Sequence, residues 1–166
     1  MIANRALFAR DDRRGLFANI GAAIALAAIA NATLAHFGLA QPPHERWPAF
    51  APPGPAIGAI WVVLFAAMGA ARWSVAREFG PHATSNARAI GALIVICLAY
   101  PFYTHVVGGH AIELAGNVVT FAIAVGIAVR CRETIVAALC VGAVAIWIAC
   151  ATVLVGALVA LNGWNT

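Results

Sequence analysis

Two sets of side chains in this sequence have types and spacing from which selective chemistry could be built. Trp61, Phe65, Met68 and Arg72 recur at i, i+4, i+7 and i+11, which places them on one face of an α-helix. Trp147, Cys150, Ala151 and Leu154 share a face in the same way. Flat, polarizable groups in such stripes suit a planar apolar molecule; turned to a neighbouring helix, the same stripes are ordinary packing. Trp147 lies deep inside an apolar run, so its indole N–H needs an acceptor from a neighbouring helix or from a ligand. The remaining inventory argues against bond-making chemistry. GxSxG, HExxH, GxGxxG and GxxxxGK[ST] are all absent, and with them the nucleophile, zinc and phosphate constellations those spacings build. Cys97, Cys131, Cys140 and Cys150 show no CxxC or zinc-type spacing, and three of them fall in apolar runs, where cysteine acts as a small hydrophobe. No catalytic set, disulfide framework or metal site emerges, and the chain reads as a binding protein rather than an enzyme.

What must position these stripes follows from the solvent. The 166 residues are 63% hydrophobic and 10% charged, with a mean hydropathy of +0.90. Soluble domains are nearer 45–50% apolar and about 25% charged. Five apolar runs, 16–39, 57–75, 89–107, 112–129 and 134–161, are each long enough to cross roughly 30 Å of hydrocarbon as a helix. Helices are required, because lipid offers the backbone no hydrogen-bond partners. The expected fold is an all-α membrane protein, one five-transmembrane-helix bundle over 1–166. The third span is interrupted by Pro101 and followed by His105. The first run is too long for the h-region of a signal peptide, despite the arginines before it.

Every basic residue is an arginine, and their distribution sets a direction. Arg5, Arg10, Arg13 and Arg14 precede the first span, Arg72, Arg77 and Arg88 flank the 2–3 connection, and Arg130 and Arg132 the 4–5 connection. With five spans, all these share one side, and Arg46 alone lies on the other. The positive-inside rule then puts the N-terminus in the cytoplasm and the C-terminus outside, with a bacterial cell membrane as the expected location. The net charge of +4 is therefore anchoring to the bilayer, with no basic patch of the kind that binds nucleic acid. The intramembrane polar inventory is Asn19, Asn31, Thr33, His36, Cys97, Asn117, Thr120 and Thr152. It has no Asp, Glu, Lys or Arg chain for an ion relay, and Glu113 is expected to snorkel to the interface. Gly116, Thr120, Ala124 and Ala128 form a smooth stripe for close helix contact, within the chain or between subunits.

Ahead of the second span lies a stretch rich in proline, Pro48, Pro52, Pro53 and Pro55, with Trp47 and Phe50 beside them. Proline fixes φ and removes N–H donors, so the loop 40–56 is expected to be either a stiff lid or a rigid connector. Five spans, Pro48, Pro52–Pro53, Trp61, Phe65, Met68–Gly69, Pro101 with Phe102 and Tyr103, Trp147, Ala151–Thr152 and Leu161–Asn162 together resemble the TspO/MBR family of tryptophan-rich sensory and translocator proteins. Departures fall at Pro55, where the family has a loop Trp, at Ile96 and Ala99 in the third span, and at Ala143, Val144 and Val155 in the last. The resemblance implies a flat apolar ligand, a tetrapyrrole such as a porphyrin or haem precursor or a sterol-like lipid, held between the helices beneath the 1–2 loop. It also implies a homodimer and no required cofactor. Trp61, Phe65 and Met68 would form one wall, Trp147 and Cys150 another, with Trp47 and Phe50 in the lid. His36 could ligate a haem iron, though a lone His near a helix end is more often interfacial. The rival reading is a small membrane-structural or assembly subunit without a pocket.

Overall fold

The computed structural model describes residues 12–38, 46–78 and 82–164. Five helices follow one another: α1 (Arg13–His36), α2 (Gly54–Ala76), α3 (Ala83–Val107), α4 (His110–Arg130) and α5 (Ile135–Asn162). All five are long and apolar enough to cross a bilayer, and no strand occurs among the described residues. The all-α five-helix bundle read from hydropathy is therefore the architecture.

Local chemistry explains where the helices begin and end. The Asp12 carboxylate accepts from the Gly15 amide at 3.0 Å, satisfying one of the orphan donors of α1. Pro53 stands at the N-cap of α2 and Pro55 in its first turn, where a missing N–H leaves nothing unpaired. The prolines thus open the second helix earlier than its apolar run suggests. α3 begins at Ala83, ahead of the hydropathy boundary, and continues through Pro101 to Val107. Between α3 and α4 the chain reverses over Gly108 and Gly109, both at positive φ (75° and 82°), a conformation that costs glycine little.

α2 is the central helix. It packs against α1, α3 and α5, while α4 joins α5 to α3, and α1 touches α3. The order around the bundle is therefore α1, α2, α5, α4, α3. Met68, Ile90, Leu93, Val141 and Val144 are fully enclosed at its centre. Phe17, Ile29, Val63, Val95, Ile146 and Val153 point outward and are exposed, as expected of side chains solvated by hydrocarbon. α1 and α2 come closest at Gly69: a Cβ there would stand 2.7 Å from the Asn19 carbonyl oxygen and 2.8 Å from Ile20 Cα.

Side-chain hydrogen bonds close the two ends of the bundle. At the arginine-rich end, Arg130 donates to Ser85 Oγ at 2.9 Å and Asn86 Oδ1 at 3.2 Å, and Thr134 donates to Glu78. These tie the 2–3 and 4–5 connections together. At the other end, the 1–2 loop meets the last turn of α5. The first span therefore starts, and the fifth finishes, at opposite faces, as an odd number of passes demands.

Candidate ligand site between the helices

The α2 stripe turns inward. Phe65 is 4% exposed and Met68 is wholly buried, and half-buried Trp61 lies over the core with its ring 5.6 Å from that of Phe65. On α5 the stripe splits. The buried side of that helix runs through Val141, Val144, Ile148 and Val155. Trp147 flanks this side and packs against the core, whereas Cys150 stands on the far side and is exposed. Cys150 therefore does not complete the wall read from sequence: three residues on from Trp147, the 100° per residue of the helix carries it towards lipid. A shallow apolar groove lies along α2 between Ala59, Ile60, Val63 and Leu64. None of the stripe residues lines it.

Buried inside the bundle, the Trp147 Nε1–H meets no acceptor among the described residues. An indole donor with no partner at this depth costs free energy, about 1–3 kcal/mol on mutational scales. Of the two acceptors open to it on sequence grounds, a helix–helix hydrogen bond is not made.

Above the helices, Pro48 is buried while Trp47 (38% exposed) and Phe50 (63% exposed) face outward. The lid aromatics thus do not tuck into the bundle; the proline does. Ala51 N–H donates to the Pro48 carbonyl at 2.9 Å, turning the loop. Its far end is clamped by Asn162 at the last turn of α5. The Arg46 N–H donates to Asn162 Oδ1 at 2.9 Å, and Asn162 Nδ2 donates back to the Arg46 carbonyl at 3.0 Å. Asn162 so mimics a strand partner for one residue of the loop.

Five membrane-length helices, a proline-led second span and a last-span Asn holding the loop are the pattern against which relatives can be judged. The sequence model of the TspO/MBR family matches residues 17–161. The chain belongs to the TspO/MBR family. It is accordingly an integral, multi-pass membrane protein. No curated protein matches it.

This TspO/MBR chain carries two features that sequence reasoning did not assign to a site. Arg72, read as a flanking charge, lies half-buried with its Nη1 donating to buried Asn19 and its Nε close to Gly91. It ties α1 to α2 and leans on α3. Asn19, the polar residue one and a half turns into α1, was the available signal. Asn117 on α4 is 5% exposed, with its amide beside the Tyr100 hydroxyl of α3, which donates to the Glu113 carbonyl at 3.3 Å. Glu113 itself does not snorkel freely: its Oε2 lies 3.0 Å from Nδ1 of buried His110. The small-residue stripe of α4 serves the chain's own packing. Thr120 and Ala124 are buried, and a Cβ on Gly116 would fall onto the Tyr103 ring of α3.

His36 is exposed at the end of α1, and no group of three or more His, Cys, Asp or Glu capable of holding a metal occurs among the described residues.

Proposed function

We propose that this TspO/MBR protein holds a flat, apolar ligand between its helices beneath the 1–2 loop, acting as a binding or sensory protein of the bacterial cell membrane. The ligand classes are a tetrapyrrole, such as a porphyrin or haem precursor, and a sterol-like lipid. The arginine-rich end faces the cytoplasm. The observation that supports this reading is the Trp147 indole N–H, enclosed in the bundle without a protein acceptor on a helix that packs directly against α2. Trp61 and Phe65, paired at 5.6 Å, supply aromatic surface from α2. Stacking and shape are the work of these residues; none of them is placed for covalent chemistry.

The rival, a structural subunit without a pocket, draws on the same core. Met68, Ile90 and Leu93 are fully enclosed, as they would be in a bundle that only packs. Titration with protoporphyrin IX, followed by tryptophan fluorescence of the purified protein, separates the two. Saturable quenching that weakens at least tenfold in Trp147→Ala and Trp61→Ala is expected. Non-saturating quenching, equal in wild type and variants, would assign the chain to the structural reading.

A further inference from the structure

Arg72 sits in α2 five residues before the Arg77 cap, so at 1.5 Å per residue its Cα lies about 7–8 Å inside the helix end. Asn19 lies at matching depth in α1, six residues after Arg13. It is 4% exposed, and its Nδ2 donates to the Gly15 carbonyl at 2.8 Å, which leaves Oδ1 to accept from Arg72 Nη1. An arginine at this depth ordinarily reaches out to the headgroups; this one is held inside by a neutral amide. No carboxylate pairs with it among the described residues, so its charge is uncompensated at the edge of the hydrocarbon. With Nη1 taken, the guanidinium keeps the edge formed by Nε and Nη2, whose parallel N–H groups match two oxygens of one phosphate. That edge is uncovered on the α3 side, because Gly91 has no side chain: even an added Cβ would stand 3.9 Å from Arg72 Nε.

We propose that Arg72, framed by Asn19 and Gly91, binds the phosphate of an anionic phospholipid in the leaflet at the arginine-rich end. The chemistry along α3 is that of such a lipid. Exposed Arg88 stands three residues before Gly91, one turn nearer the arginine-rich end, where a headgroup lies. Val95, four residues after Gly91 and deeper in the membrane, is 62% exposed and offers an acyl chain an apolar track. Positions 88, 91 and 95 share one face of the helix, so charge, phosphate site and chain site follow in the order a phospholipid presents them. Arg88 also sets the sign of the headgroup: the ammonium of a zwitterionic lipid would be placed beside a second cation, and a net-negative lipid would not. The site is separate from the proposed ligand cleft, since Trp61 stands eleven residues before Arg72 on α2, about 16 Å along the helix.

The test is native mass spectrometry of the full chain, titrated in detergent with dioleoyl-phosphatidylglycerol and with dioleoyl-phosphatidylcholine. One phosphatidylglycerol is expected to be retained about tenfold more tightly than phosphatidylcholine. Arg72→Gln abolishes that preference. Arg77→Gln keeps it, although it removes the same charge at the same end, from an exposed guanidinium resting on Trp73. Gly91→Leu keeps every charge and lays a side chain over the open edge of Arg72, so it too loses the preference; it carries the test if Arg72→Gln does not fold. Equal loss in Arg72→Gln and Arg77→Gln would reduce the effect to general attraction between arginines and anionic lipid, and overturn the proposal. A preference untouched by Gly91→Leu would do the same. Displacement of the lipid by excess glycerol 3-phosphate would give the site to a soluble anion and overturn the lipid as its occupant.

Discussion

At the scale of single residues, contact distances sort the glycines by consequence. A Cβ on Gly69 would meet backbone atoms of α1 at 2.7–2.9 Å, so neither partner can yield without moving a helix. Gly69→Ala is expected to lower stability by about 1–3 kcal/mol, measured as a fall in thermal midpoint in detergent. Gly142, with nothing near its added Cβ, is the control; its alanine variant is neutral or gains up to about 1 kcal/mol in helix propensity. Cysteines divide in the same manner. Cys131 is 1% exposed, and burial pushes its thiol up, with Glu78 adding to the rise and Arg130 opposing it. Since the thiolate is the reactive species, its alkylation at pH 8 is slower than that of an ordinary thiol and accelerates on raising the pH further. Exposed Cys150 labels with an apolar, membrane-permeant maleimide and is spared by a charged one. Equal labelling of the two positions by mass spectrometry would contradict both placements.

Helices were legible in the sequence because twenty apolar residues in a row leave little alternative in lipid. Their boundaries were less so. Hydropathy starts the second span at 57, yet proline geometry starts α2 at Gly54; it starts the third at 89, while Asn86 is already buried inside α3. Polar residues that pair across the bundle are invisible to a hydropathy scale. The same blindness hid Arg72, whose hydrogen bond with Asn19 spans 53 positions. Periodicity placed Phe65 and Met68 on one face without saying which way that face turns; it fixes only relative angles, so it also could not say that the buried side of α5 favours Ile148 over Cys150. Asn117 was visible as an intramembrane amide, but its place beside the Tyr100 hydroxyl of α3 was not, because pairing between helices leaves no mark on spacing. Among the residues that hold the loop, Asn162 at the end of α5 carries the strongest prediction. Asn162→Leu removes both hydrogen bonds to Arg46. Amide exchange of the Arg46 N–H and proteolysis of the 1–2 loop are expected to rise about tenfold, with the melting transition of the helices little changed.

Across the whole molecule, five passes and two differently furnished ends define a polarity. The arginine-rich end is laced by Arg130, Ser85, Asn86, Thr134 and Glu78, the other by backbone contacts of the loop. Single cysteines at Phe50 and at Arg132, in a chain whose native cysteines are alanine, should label from opposite faces of the membrane with an impermeant reagent, Phe50 from outside. Labelling of both from one side would refute the five-pass path.

One further outcome follows from the Arg46–Asn162 pair. Its members are separated by 116 positions, well over half the length of the polypeptide. During synthesis the early loop leaves the ribosome long before its clasp exists, and it stays unfastened until the final span has crossed. Fastening of the loop is thus a late event of biogenesis, and an intermediate halted after four crossings still carries it unclasped.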